Sequence, residues 1–258
     1  NRGNANKIMG EFMNRIQKIM PLCLTSLAGG AKDNAIPRSC QATMVAMGIN
    51  LQRINDIAEQ LQAEVREQYD EPDATVQAFD VDALGGNGLT TESTAKVIGL
   101  LCAAPNGIQA MSSDIPGLVQ TSLNLGIAKL AERFSVTFSV RSSVNTEKAE
   151  LLEQLKKLCE FYAGTYSEMG DYPAWEFKKE SSLRDTMVRI YTDMFGKEPQ
   201  VMAIHAGLEC GLLGEKLPGL DCVSVGPQMH DIHTSREKLE IASTERTWNF
   251  LLEILKNL

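Results

Sequence analysis

The sequence lacks any apolar run near the roughly twenty residues that cross a bilayer. It also lacks a basic excess, because 25 Lys and Arg against 33 Asp and Glu give a formal net charge of −8. That balance argues against nucleic acid and against an anionic membrane as partners. Aromatic residues are scarce at 6%, but 43% apolar and 22% charged residues are typical of a globular protein.

No Cys-x-x-Cys pair occurs, so the sequence offers neither a zinc ribbon nor a dithiol redox motif. The six cysteines are scattered and mostly lie in apolar surroundings. This distribution predicts reduced core thiols and a cytoplasmic location.

An initiator methionine is also absent, and the chain enters a helical pattern almost at once. Residues 1–172 contain two similar tandem units: the first has the order helix, strand, strand, helix, strand, and the second repeats it with one additional strand. The predicted helices are 4–20, 51–65, 91–103 and 146–162, and the predicted strands are 23–27, 38–47, 75–81, 107–111, 121–127, 134–141 and 165–169. This order predicts an α/β (α+β) fold of tandem split-βαβ, ferredoxin-like units, with helices on one face of a mainly antiparallel sheet. Because the first unit has no opening strand, we expect the chain to be a fragment.

Residues 173–258 have a different pattern, and we place a domain boundary at 172/173. Two short apolar strands are predicted at 200–204 and 221–225, with helices at 183–195 and 243–255. Such strands are typical of a parallel sheet that is buried on both faces. Two or three strands are too few for that sheet, so its remainder is expected to come from another segment or chain.

All three histidines lie in this last part of the chain. His205 directly follows strand 200–204, and His230 and His233 lie in the stretch after strand 221–225. In open α/β sheets, the loops after the strands form the ligand crevice, so together these residues indicate a site. Taken singly, each is better explained as a surface histidine without a role.

As a zinc centre this set is incomplete, since each ion needs at least three protein ligands and an open position. One loop offers His230, Asp231 and His233, but the sequence has no His-x-Asp and no adjacent glutamate pair. A competing hypothesis is a Cys210 nucleophile paired with His205. Position 210 falls in a predicted helix, where a packed thiol is the commoner outcome.

Two polar residues are the candidates in the first part. Asn34 lies in a turn before a strand, where its amide can contact a ligand or bond its own backbone. Arg141 ends a strand, where its guanidinium can clamp a carboxylate or remain solvated. The residues alone leave both alternatives open.

Six stretches of the chain, in order, resemble the aminoacyl-histidine dipeptidases, a branch of the co-catalytic zinc peptidases that includes carnosine-cleaving bacterial enzymes. The matching stretches are 3–7, 34–38, 104–107, 121–126, 205–211, and 226–227 followed by His233. Apart from connecting loops, the resemblance covers the whole chain.

Family members are about twice this long, with a lid domain inserted into a catalytic domain. The resemblance therefore implies that residues 1–172 are most of the lid and that 173–258 are the C-terminal segment of the catalytic zinc-peptidase domain. The family's His-x-Asp, bridging aspartate and Glu-Glu motifs have no counterpart here. The N-terminal catalytic half, including the general base, is thus expected to be missing, and no catalytic residue is assigned in this chain.

For the complete protein, the resemblance implies a zinc metallodipeptidase in which two zinc ions activate a bridging water and a glutamate of the missing half takes its proton. Other divalent metals are also compatible with such a centre. The expected substrate is an aminoacyl-histidine-type dipeptide, and the expected partner is a second copy bound through the lid. The alternative is a non-catalytic ligand-binding or assembly module.

The resemblance also gives roles to individual residues. His233 matches the last metal-binding histidine of the family, whereas His230 falls outside the expected ligands. Asn34 is expected to contact the substrate or its developing oxyanion, and Arg141 its terminal carboxylate. His205 and Glu209 are expected to line the substrate pocket.

Overall fold

The computed structural model describes residues 2–46, 48, 50–81, 88–204, 209–232 and 234–258. These residues form two compact units. The first unit comprises Asn1–Met111, Thr121–Arg141 and Thr146–Met169, and the second comprises Ser112–Gln120, Ser142–Asn145 and Gly170–Leu258.

The described residues of the first unit form four helices and five strands. The helices are α1 (Ala5–Gln17), α2 (Leu51–Tyr69), α3 (Thr91–Ala103) and α4 (Asn145–Phe161). The strands are β1 (Leu22–Gly29), β2 (Cys40–Ala46), β3 (Gly107–Met111), β4 (Val119–Leu130) and β5 (Phe134–Ser142).

The strands form one open sheet in the order β2-β1-β4-β3, and β5 also pairs with β4. β1 and β2 are antiparallel from Leu22 opposite Ala46 to Gly29 opposite Cys40, with a shift of register between Leu24 and Ser26. β1 and β4 are antiparallel over three residue pairs that end at Gly29 opposite Ala128. The predicted mixed α/β class is confirmed.

Polar side chains cap three helices of this unit at their N-termini. Asn50 and Thr90 accept hydrogen bonds from backbone N–H groups in the first turns of α2 and α3, and Asn4 does the same for α1. Each helix then packs one apolar stripe on the sheet, as its spacing predicts. The fully buried core includes Met13, Ile16, Leu24, Ile98, Leu101 and Leu125.

The second unit contains α5 (Ser182–Phe195), α6 (Glu209–Lys216) and α7 (Ile241–Lys256), with a short antiparallel pair of β6 (Met229–His230) and β7 (Lys238–Leu239). Its core is a small cluster between α5 and α7 formed by Met187, Ile190, Phe250 and Ile254. Ser181 caps α5 and also donates to Asp221 at 2.8 Å, which fixes the segment that follows Asp221.

Four predicted strands are not strands in the structure. Segments 75–81, 165–169, 200–204 and 221–225 belong to no ladder among the described residues. In the first of them, the Val76 N–H donates to the Gln62 side chain instead of to a neighbouring strand. An apolar pattern predicts an extended conformation, whereas a strand also needs a partner for its backbone groups.

Candidate functional site

The turn that carries Asn34 connects β1 and β2. The Asn34 side chain is exposed, and its backbone N–H donates to Asp33 Oδ1 at 2.8 Å. The amide of Asn34 is therefore free to face a ligand, and the local hydrogen bond of the turn uses the neighbouring aspartate.

A second asparagine holds this turn from β4. Asn124 Nδ2 donates to the carbonyl oxygens of Asp33 at 2.7 Å and of Ala35 at 2.8 Å, one on each side of Asn34. Gly126 allows the close approach, because a Cβ atom there would lie 2.2 Å from the Asp33 carbonyl oxygen. The turn thus rests directly on the sheet.

Three further asparagine side chains bond to β4 next to Asn124. Both backbone groups of Leu125 bond to their side chains: the N–H donates to Asn106 Oδ1 at 2.9 Å, and the carbonyl accepts from Asn4 Nδ2 at 3.1 Å and Asn6 Nδ2 at 3.2 Å. Asn4 Nδ2 also contacts Asn106 Oδ1 at 2.9 Å and Asn124 Oδ1 at 3.3 Å. We call Asn4, Asn6, Asn106 and Asn124 the asparagine cluster.

Arg141 lies near the end of β5 on the same face of the sheet as the turn. Leu123 of β4 packs with Phe138 and Val140 of β5 against α4. Because neighbouring side chains on a strand alternate between faces, Asn124 and Arg141 both lie on the opposite face. Arg141 is exposed and has no ion pair with any residue that the structure describes.

The second unit contains a cavity of about 1000 Å³. Segments 199–204 and 220–226 line it together with side chains of α5 and α7, including Met187 and Phe250. Val201 and Met202 are 50% and 69% exposed although both are apolar. Two apolar segments that pair with no strand among the described residues therefore border an open space.

The remaining predicted site residues belong to the second unit. His205 and His233 lie outside the described residues. Glu209 is exposed at the start of α6, and His230 is exposed in β6, where it pairs with Lys238.

Burial raises the pKa of the Cys210 thiol, and the adjacent Cys222 raises it further. A raised pKa disfavours the thiolate that a nucleophilic cysteine needs. His205, the proposed partner of Cys210, lies outside the described residues, so this pair stays a prediction.

The described residues do not provide a set of ligands for a metal ion. No group of three or more His, Cys, Asp or Glu side chains that could hold one occurs among residues 2–46, 48, 50–81, 88–204, 209–232 and 234–258. The described residues thus form no complete zinc site, and no catalytic step is assigned to them.

Comparison with known proteins identifies the relatives of this chain. Residues 1–73 match the family described as the peptidase dimerisation domain. The crystal structure of aminoacylhistidine dipeptidase from Vibrio alginolyticus superposes with a TM-score of 0.88 at 28% identity, over 99% of this chain and 53% of that one. The predicted resemblance to the aminoacyl-histidine dipeptidases is confirmed.

A second relative is also named as a dipeptidase. The cytosol non-specific dipeptidase of Escherichia coli (strain K12) is 29% identical over 259 residues, which cover 99% of this chain and 53% of the relative. The chain therefore spans about half the length of the dipeptidases it matches. No helix among the described residues is long and apolar enough to cross a membrane.

Two residues of the first unit make contacts that the sequence alone does not predict. Asn124 belongs to a matched stretch, but its contact with the turn joins residues about ninety positions apart in the chain. Lys7 also belongs to a matched stretch, and its Nζ donates to the carbonyls of Leu101, Cys102 and Ala104 at 2.6–2.7 Å. The resemblance to the family singles out both residues, but not the contacts that they make.

Proposed function

We propose that this chain is the lid, residues 1–172, and the C-terminal catalytic segment, residues 173–258, of a cytoplasmic zinc metallodipeptidase that cleaves aminoacyl-histidine-type dipeptides. The observation that carries the proposal is the superposition of 99% of the chain on an aminoacylhistidine dipeptidase. The name of the Escherichia coli relative supports both the activity and the location.

The second unit supports the proposal that a further catalytic segment completes the fold. Segments 200–204 and 221–225 are apolar but lack strand partners among the described residues. Additional strands beside them would satisfy their backbone groups and cover Val201 and Met202. The predicted N-terminal half of the catalytic domain would supply such strands, together with the metal ligands that the described residues lack.

The first unit supports a role in binding substrate and a second copy. Asn34 and Arg141 lie exposed on one face of the sheet, where an amide can hydrogen-bond a peptide oxygen and a guanidinium can pair with a terminal carboxylate. The match of residues 1–73 to a peptidase dimerisation domain supports a homodimer formed through the lid.

For the catalytic segment, we propose His233 as a zinc ligand and Glu209 and His205 as pocket residues, all on the resemblance. Zinc would supply Lewis-acid activation of water in the complete protein. His230 is the matched control for His233, because it is exposed and lies only three positions away in the sequence.

The test is to make His233→Ala and His230→Ala in the complete protein and to count bound zinc after dialysis. We expect His233→Ala to lose metal and His230→Ala to keep it, since removing a ligand weakens a site far more than removing a bystander. Equal zinc content, or a greater loss in His230→Ala, would refute the assignment.

A further inference from the structure

We propose that Asn124 is a positioning residue that holds the Asn34 turn in its substrate-binding conformation, with the asparagine cluster as its anchor. The inference rests on the role proposed above for Asn34. Asn124 does not itself contact substrate in this proposal, and it acts only through the turn.

The first step is the geometry of the Asn124 amide. Its Nδ2 donates to two carbonyls that flank Asn34, at 2.7 and 2.8 Å, so both of its hydrogens are used. Its Oδ1 accepts from Asn4 Nδ2, which fixes the orientation of the amide. A flipped amide would set its oxygen against the two carbonyls.

The second step is the anchoring of the asparagine cluster. Asn4 Oδ1 accepts from the backbone N–H groups of Asn6 and Lys7 and so caps α1. Asn106 lies just after the end of α3 and accepts from both Asn4 and Leu125. The position of Asn124 is thus tied to α1, to α3 and to its own strand.

The third step is the need for such an anchor. Residues 31–36 are exposed, and an exposed turn without tertiary bonds samples many conformations. A group that contacts substrate loses a large part of its effect on the rate when it lies about 1 Å from its productive position. Two hydrogen bonds to the sheet and the close contact at Gly126 remove that freedom before substrate binds.

The experiment uses three single variants and one double variant of the complete protein. Asn124→Asp keeps the shape of the side chain but replaces two donors with an acceptor that repels both carbonyls. Asn14→Asp is the matched control on α1, where the side chain bonds to Glu11 and Gln17. Asn34→Ala removes the proposed substrate contact, and the double variant with Asn124→Asp completes the cycle.

We expect Asn124→Asp and Asn34→Ala each to lower kcat/KM about 10- to 100-fold, and the double variant to lose no more than the larger single loss. We also expect faster amide hydrogen exchange in residues 31–39 of Asn124→Asp and no change in Asn14→Asp. Losses that multiply in the double variant, or unchanged exchange in the turn, would overturn the inference.

The experiment separates the role of Asn34 from the role of Asn124. Normal kinetics of Asn34→Ala would refute the substrate role of that residue, whereas hydrogen exchange would still decide whether Asn124 holds the turn. If Asn124→Asp fails to fold, Gly126→Ala provides the same test, because its new Cβ must displace the backbone of Asp33. Normal exchange and activity in a folded Gly126→Ala would also overturn the inference.

Discussion

Replacing Lys7 with methionine should destabilise the first unit. The Lys7 ammonium donates to three carbonyls at the C-terminus of α3, namely those of Leu101, Cys102 and Ala104. A helix C-terminus leaves such carbonyls without intrahelical partners, and a cation there also interacts favourably with the helix dipole. Methionine keeps much of the length of the side chain and removes every donor.

The cost follows from two opposing effects. Each buried acceptor left without a donor costs about 1–3 kcal/mol, and three are affected. Burial of the ammonium offsets part of this, as shown by the lowered pKa of Lys7, whose main cause is desolvation. A net loss of about 2–4 kcal/mol is expected, which corresponds to a fall of roughly 4–16 °C in Tm for a domain of this size.

The assay is thermal unfolding followed by far-UV circular dichroism, with tryptophan fluorescence as a second probe. Both tryptophans, Trp175 and Trp248, lie in the second unit, so we expect their transition to shift less than the dichroism. Lys18→Met is the control, because it removes the same charge from an exposed position at the end of α1. A Lys7→Met variant as stable as Lys18→Met would refute this interpretation of Lys7.

The same residue predicts a pH dependence. Burial lowers the pKa of Lys7 below its ordinary value of 10.5, so the unfolded chain binds more protons between the lowered pKa and 10.5. The contribution of Lys7 to the free energy of unfolding should therefore rise with pH in that window, and the rise should vanish in Lys7→Met.

Three further predictions concern other parts of the molecule. In the complete protein, Arg141→Ala should lower kcat/KM by an amount equivalent to about 2–4 kcal/mol. The Tm should not change, since the Arg141 side chain is exposed. Normal kinetics of Arg141→Ala would show that Arg141 is only a solvated residue at the end of a strand. Ile98→Ala should cost about 2–5 kcal/mol in denaturant unfolding and Ile98→Val about 0.5–1.5 kcal/mol, because Ile98 is fully buried; equal costs would contradict this packing. Hydrogen bonds from Arg15 lower the pKa of Glu64 below 4.5. The contribution of this pair to the free energy of unfolding is therefore present above pH 4.5 and is lost as the pH falls through the lowered pKa. Glu64→Gln should remove this loss of stability in acid, which amounts to less than about 1 kcal/mol because the pair is exposed.

Local pattern predicted most of the elements of the first unit. Helical spacing of apolar residues placed a helix at 4–20, and α1 spans Ala5–Gln17. Alternation and turn residues placed strands at 23–27 and 134–141, close to β1 and β5. These signals are local, because each helix or strand carries its own buried face in its sequence.

Pairing between distant segments could not be predicted in the same way. Segments 200–204 and 221–225 have the composition of buried strands, yet a ladder depends on neighbours that a local pattern does not contain. The contact of Asn124 with the Asn34 turn likewise depends on the register of β4 against the rest of the sheet. The sequence predicts Arg141 at the end of a strand. That Arg141 lies on the same face of the sheet as the Asn34 turn follows only from the alternation of side chains along both β4 and β5.

The most direct test of the central claim is hydrolysis of β-alanyl-histidine by the purified 258-residue chain and by the complete protein, each supplied with zinc and free of host peptidases. We expect the complete protein to cleave the dipeptide and the 258-residue chain to be inactive, because its described residues form no complete metal site and the proposed general base lies outside it. Hydrolysis by the 258-residue chain alone, or none by the complete protein, would contradict the account.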